Sequence, residues 1–279
     1  MGKNDPPPRF HGQRYPPMQI LEPYIPKEYL ALRINYCKKI LKDLPEVMVS
    51  QRLLRGKKID VCVSDSHYYR LSGATGKNLL LCSRQREELL RELAKLEGLW
   101  ESAFRGLPPP DIEPRKIRRS FLNNNNETVI LDGNFFESLK NDANPYFPDS
   151  KKYFYNGTYY RSAAEVDIAR FYTEQGIPFK YEPEIWLKGL NHPIYTDFVL
   201  LIKELDLCKF HEHFGMKNFS GYAAGTLSKY TNYSEAGLVM DFDVICTYNY
   251  DSVPFDLRML STKLNHAVYD SLFALDIPF

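Results

Sequence analysis

Residues 27–43 place Leu30, Ile34, Cys37, Ile40 and Leu41 at three- and four-residue steps with lysines between them, the spacing of one apolar helix face. Pro26 suits the start of this helix and Pro45 ends it. Three runs with strand character follow, 47–54, 59–63 and 68–71, punctuated by Gly56, Gly73 and Gly76, with a hairpin turn expected at Arg55-Gly56-Lys57-Lys58. Leu79–Leu81 leaves room for a fourth strand. Ser83 then suits the N-cap of a helix over 84–104, whose Leu89, Leu90, Leu93, Leu96 and Trp100 share a face. Residues 27–106 therefore predict a small α+β module of helix, strands and helix.

On either side of that module the pattern breaks. Pro6-Pro7-Pro8, Pro16-Pro17, Pro23 and Pro26 deprive residues 1–26 of a continuous hydrogen-bond ladder, so a tail is expected there. Residues 107–150 begin with a proline-rich stretch, carry the polar tract Asn123–Asn126 and read as a linker. Periodicity resumes in 151–279. Asn156-Gly157 between two aromatic runs is a strong hairpin signal. After it come a helix over 162–175, strands over 179–187, 195–202 and 207–214, a helix over 220–235 and a strand over 238–248. The expected class is α+β or α/β, and the order in this second domain is α-β-β-β-α-β.

Composition supports a globular chain: of 279 residues, 44% are hydrophobic, 25% charged and 14% aromatic. The formal charge of +1 hides an asymmetry. Residues 1–120 hold 23 Lys and Arg against 14 Asp and Glu, while the remainder holds 13 against 21. A basic half joined to an acidic one is a pattern of nucleic-acid binding, although lysine-rich exposed helices produce it too. Arg115, Lys116, Arg118 and Arg119, with Lys57 and Lys58 at the hairpin turn, are the candidate phosphate contacts. Five scattered cysteines without a CxxC pair suggest reduced thiols, and neither a membrane-length apolar run nor a signal-peptide core is present, so a cytoplasmic protein is expected.

The acidic residues carry the chemistry. Asp197 interrupts a run that is apolar on both faces, as in a central strand, and Glu212 occupies an equivalent place in the next. Alternation sets Cys208, Phe210, Glu212 and Phe214 on one face and Lys209, His211 and His213 on the other. Two carboxylates on adjacent strands about 4.8 Å apart repel by about 3 kcal/mol at an effective dielectric near 20. A hard divalent cation such as Mg²⁺ or Mn²⁺ would offset this; backbone and lysine hydrogen bonds are the alternative. Glu165 can supply a third carboxylate, although Ser162 followed by Glu165 is also a capping box.

Taken in order, Arg161-Ser-Ala-Ala-Glu165-Val-Asp-Ile-Ala169, Gly176-Ile-Pro-Phe-Lys-Tyr-Glu182, Tyr195-Thr-Asp-Phe198, His211-Glu-His-Phe-Gly-Met216, then Tyr222, Lys229, Tyr233 and Val244-Ile-Cys-Thr-Tyr248 resemble the PD-(D/E)XK nuclease superfamily, particularly small bacterial members with a similar N-terminal module. The resemblance implies a restriction-endonuclease-like core with a mixed central sheet flanked by helices. It also implies Asp197 and Glu212 as metal ligands, Glu165 as the helix acid, and the His213 carbonyl as a further ligand. Thr196 stands where the family has proline, and Phe214 stands where it has the catalytic lysine. Lys229, on the next helix, is the candidate replacement. The expectation is a Mg²⁺- or Mn²⁺-dependent nuclease acting on DNA, with Glu165, Asp197, Glu212 and Lys229 catalytic and a homodimer left open. A catalytically inactive nuclease-fold protein that binds nucleic acid, or an assembly module, is the alternative.

Overall fold

The computed structural model describes residues 26–146, 148–216, 220–250 and 255–272, excluding the side chains of 216, 220–226 and 250. The tail expected over 1–26 lies outside the described residues except for Pro26.

The first helix, α1 (Lys27–Asp43), begins and ends as the prolines dictate. It is followed by β1 (Met48–Leu54), β2 (Lys57–Ser64) and β3 (His67–Arg70), an antiparallel meander in the order β1-β2-β3. Arg55 and Gly56, with φ of 49° and 76°, make the two-residue turn, and Lys57 and Lys58 already belong to β2. The next helix, α2 (Ala74–Phe104), starts nearly three turns earlier than Ser83 suggests. Leu79–Leu81 is helical and Ser83 is buried within the helix. Gly76 is the reason: a Cβ there would stand 2.0 Å from the Arg70 carbonyl oxygen, so the glycine lets the first turn press against the end of β3.

The segment read as a linker is built into the core. It contains β4 (Ser120–Leu122), β5 (Thr128–Ile130) and α3 (Gly133–Ser138), and buries Ile117, Phe121, Leu131, Phe136 and Leu139. A short 3-10 turn at Pro148–Ser150 leads to the hairpin β6 (Tyr153–Tyr155) and β7 (Thr158–Tyr160), turned by Asn156-Gly157 as expected.

The second half then runs α4 (Ala163–Gln175), β8 (Phe179–Tyr181), β9 (Glu184–Ile185), β10 (Ile194–Tyr195), β11 (Phe198–Ile202), β12 (Leu207–Met216), α5 (Ser220–Glu235), β13 (Val244–Tyr250) and α6 (Leu257–Ser271). Its main sheet has the order β13-β12-β11-β8, with β12 and β13 parallel and the other pairs antiparallel. Counting only the strands of this sheet, α4-β8-β11-β12-α5-β13 follows the expected α-β-β-β-α-β order; the first two expected strands are each split, and β12 runs two residues further than expected. Glu182, at φ 42°, and Pro183 separate β8 from β9, and a bend at Thr196-Asp197 separates β10 from β11. The last strand begins at Val244 rather than 238, because Gly237 (φ 90°) and Asp241 (φ 59°) turn the chain first.

Six helices and several small sheets thus make a mixed α+β molecule among the described residues. Its main core surrounds the four-stranded sheet, and a smaller one gathers Leu30, Ile34 and Cys37 of α1 with Leu89, Leu96 and Trp100 of α2. Because α1 also sends Tyr29 and Leu32 into the main core, the N-terminal module is joined to the rest through a shared helix. Arg33 reinforces the joint, pairing with Glu92 at 2.9 Å and Glu204 at 3.7 Å and donating to the Gln175 carbonyl at the end of α4.

Candidate functional site

The pairing of Phe198 with His211 and Tyr181, continued by one residue, sets Asp197 between Glu212 and Glu182 across three strands. The Glu182 amide donates to the Asp197 carbonyl at 3.0 Å, carrying the backbone ladder to this point. There the side chain of Asp197 takes over, its Oδ2 accepting the His213 amide at 2.7 Å. Directly opposed residues of antiparallel strands share a face, so Asp197 and Glu212 lie beside each other.

Glu212 is almost wholly buried. Its Oε2 accepts from Lys229 Nζ and its Oε1 from the Tyr233 hydroxyl, each at 2.6 Å. Lys229 and Tyr233 are four residues apart on α5, so one helix face supplies both donors. Burial raises the Glu212 carboxyl above its ordinary value, and the charge of Asp197 adds to this against the pull of Lys229. Lys229 has its side chain 37% exposed. Desolvation pulls its pKa down, but Glu212 and then Asp197 outweigh it and hold the ammonium above the usual lysine range.

Only the Ser162 half of the capping box forms, and Glu165 reaches one residue further back as it joins the acidic group. Ser162 Oγ accepts the Glu165 amide at 3.1 Å, while Glu165 Oε2 accepts the Arg161 amide at 3.0 Å and the Tyr181 hydroxyl at 2.7 Å. Burial and then the charge of Asp197 raise its carboxyl.

Arg161 and Lys151, which the sequence did not single out, complete the site. Arg161 pairs with Glu182 and reaches to 3.6 Å from Asp197 Oδ1, and Lys151 stands 2.8 Å from Glu182. The site thus sets four carboxyls, Glu165, Glu182, Asp197 and Glu212, against three cations, Lys151, Arg161 and Lys229, an excess of one negative charge when all four are ionised. Arg161 opens the Arg161–Ala169 motif just before a helix cap, but nothing in that motif assigns it a role. Its partners are distant in sequence.

Other candidates fall elsewhere. The His213 ring lies on the opposite face of β12 from Glu212, bonded through Nδ1 to Thr247 Oγ1 at 2.8 Å and set 4.8 Å from the Phe255 ring. His213 meets the site through its backbone amide. Its neighbour His211 is fully buried between the Tyr172 hydroxyl and Thr247, and burial holds it well below its ordinary pKa. Phe214 is buried with its ring 5.6 Å from that of Tyr230, so core packing occupies the position where a catalytic lysine was expected. The side chain of Tyr222 is outside the described residues.

Of the basic candidates, Lys57, Lys58, Arg115, Lys116 and Arg118 are exposed. Lys116 pairs with Asp206 at 2.9 Å, and Arg115 donates to the Leu272 carbonyl at 2.7 Å. Arg119 is different: it is buried, with Nε and Nη2 bonded to the two oxygens of Asp243 at 3.0 and 2.6 Å. As placed it belongs to the core and not to an exposed basic surface.

No family model, curated protein or solved structure matches the chain. Among the described residues no helix is long and apolar enough to cross a membrane, and no three His, Cys, Asp or Glu side chains stand together as a ready-made metal cluster. The arrangement is instead a facing carboxylate pair, a third carboxylate coupled to it, and an ammonium from the adjoining helix.

Proposed function

We propose that the chain is a metal-dependent nuclease that hydrolyses phosphodiester bonds, with DNA as its substrate. The observation that carries this reading is the meeting of Asp197, Glu212 and Lys229 at the end of a mixed sheet, beside Glu165 on the preceding helix. The α-β-β-β-α-β order supports it.

The donor chemistry fits a hard cation. Both facing acids offer oxygens, burial and the charge of Asp197 raise Glu212, and carboxyls outnumber cations in the site by four to three. Asp197 and Glu212 would hold Mg²⁺ or Mn²⁺, which keeps several waters when few protein ligands are present. Bound there, the ion would neutralise the phosphate and make water a better nucleophile. Lys229 donates to the phosphate oxygen on which negative charge builds. Glu165, its proton affinity already raised, accepts the proton that the attacking water loses. Arg161 keeps Asp197 oriented. The water oxygen bonds to phosphorus as the bond to the ester oxygen breaks, and that oxygen leaves as an alcohol after taking a proton from solvent. The exposed basic residues supply the attraction for the backbone that the acidic sheet end does not.

The test is a panel of single- and double-stranded DNA and RNA substrates with Mg²⁺ and Mn²⁺, run beside Glu212→Gln and Asp197→Asn. Cleavage by the natural chain, lost in both variants while binding persists, is the expected result. Undiminished cleavage by both variants would overturn it. Binding without cleavage by the natural chain favours the non-catalytic nuclease-fold reading, to which the buried Phe214 belongs.

A further inference from the structure

We propose that two copies of this chain associate by antiparallel pairing of β1 with its own copy, centred on Gln51. Among the described residues β1 is an edge of the three-stranded sheet, with β2 as its one strand partner. Such edges are ordinarily blunted by short length, proline or charge. β1 instead runs for seven residues and exposes Met48 at 67%, Val49 at 48%, Leu53 at 71% and Leu54 at 42%. Its one charged residue, Arg52, is drawn over the Tyr68 ring, 3.2 Å from the centroid.

The order of residues selects a second copy as the occupant. Met48-Val49-Ser50-Gln51-Arg52-Leu53-Leu54 is apolar at both ends and polar in the middle. A two-fold antiparallel pair about Gln51 therefore sets Met48 against the partner's Leu54, Val49 against the partner's Leu53, and Ser50 against the partner's Arg52. Directly opposed residues share a face, so apolar side chains meet apolar ones on both faces of the joined sheet. Charge agrees with the same register. Continued past the strand end, it brings the partner's Glu46, which within one chain pairs with Arg86 at 3.2 Å yet keeps its side chain 88% exposed, beside the cationic hairpin tip of Arg55, Lys57 and Lys58. A two-fold axis uses each of these contacts twice, as an isologous interface requires.

The experiment uses the full chain. Sedimentation velocity across a concentration series is expected to show a species of twice the 32.5 kDa monomer whose share falls on dilution. Val49→Lys and Leu53→Lys alter exposed side chains and are expected to sediment as monomers with unchanged circular dichroism. Register is read by cross-linking in a Cys82→Ser background, because the other four cysteines are buried. Gln51→Cys is expected to form a disulfide dimer on mild oxidation, since opposed antiparallel residues lie within disulfide reach. Leu53→Cys alone is expected not to, and a mixture of Leu53→Cys with Val49→Cys is expected to link. A natural chain that stays monomeric throughout overturns the proposal, as does equal self-linking by Gln51→Cys and Leu53→Cys. Capture of β1 by another segment of the same chain gives the first of those results.

Discussion

Lys229 Nζ lies 2.6 Å from Glu212 Oε2, joining α5 to the central strand β12 through a carboxylate that is otherwise buried. Removing the ammonium strands that charge. Lys229→Met is expected to destabilise the protein by about 2 kcal/mol, below the 3–5 typical of a fully buried pair because the lysine is partly exposed. Adding Glu212→Gln is expected to restore much of the loss. Urea melts of the two single variants and the double variant check this, and strictly additive losses would deny the coupling.

Arg119 and Asp243 form the more deeply buried pair, with two hydrogen bonds between them. Arg119→Met is expected to cost about 3–5 kcal/mol, since Asp243 then keeps a buried charge without its main partner. A DNA-contact role alone would leave the melting curve unchanged and lower only the salt dependence of binding.

Gly76 tests why α2 begins where it does. Gly76→Ala is expected to cost about 1–3 kcal/mol through a Cβ forced against the Arg70 carbonyl, although alanine is the better helix former. Gly98, whose added Cβ would meet nothing within 4 Å, is the control, and Gly98→Ala is expected to be neutral or stabilising. Thermal melts of both variants decide.

Glu165 and Glu212 give the site a pH signature. Both carboxyls bind a proton more tightly in the folded state than in the unfolded chain, chiefly through burial. Their contribution to stability is therefore fully present below the ordinary carboxylate pKa, about 4.3, and is lost as pH rises through their raised values. Without metal, these two groups favour the fold more at mildly acid than at neutral pH. Glu165→Gln is expected to flatten that dependence, and Mg²⁺ is expected to raise the neutral-pH melting temperature of the natural chain more than that of Glu212→Gln. Urea midpoints at the two pH values and melts with and without metal measure both effects.

Much of the site was legible because its signals are local or periodic. Ser162 opens α4, alternation placed Glu212 on the face away from His211, and Lys229 falls on the helix that follows β12. Side-chain period and backbone preference over a few residues were enough for α1, the first three strands, the order of elements around the main sheet and the placing of Asp197 and Glu212 on neighbouring strands. Long-range packing settled that α2 begins at Ala74, that 107–150 belongs to the core, that Arg119 is buried against Asp243, and that Arg161 bridges Glu182 and Asp197. Those outcomes depend on close approach and charge compensation between distant segments, 124 residues apart for Arg119 and Asp243, and no local pattern encodes which distant charge will be buried beside which.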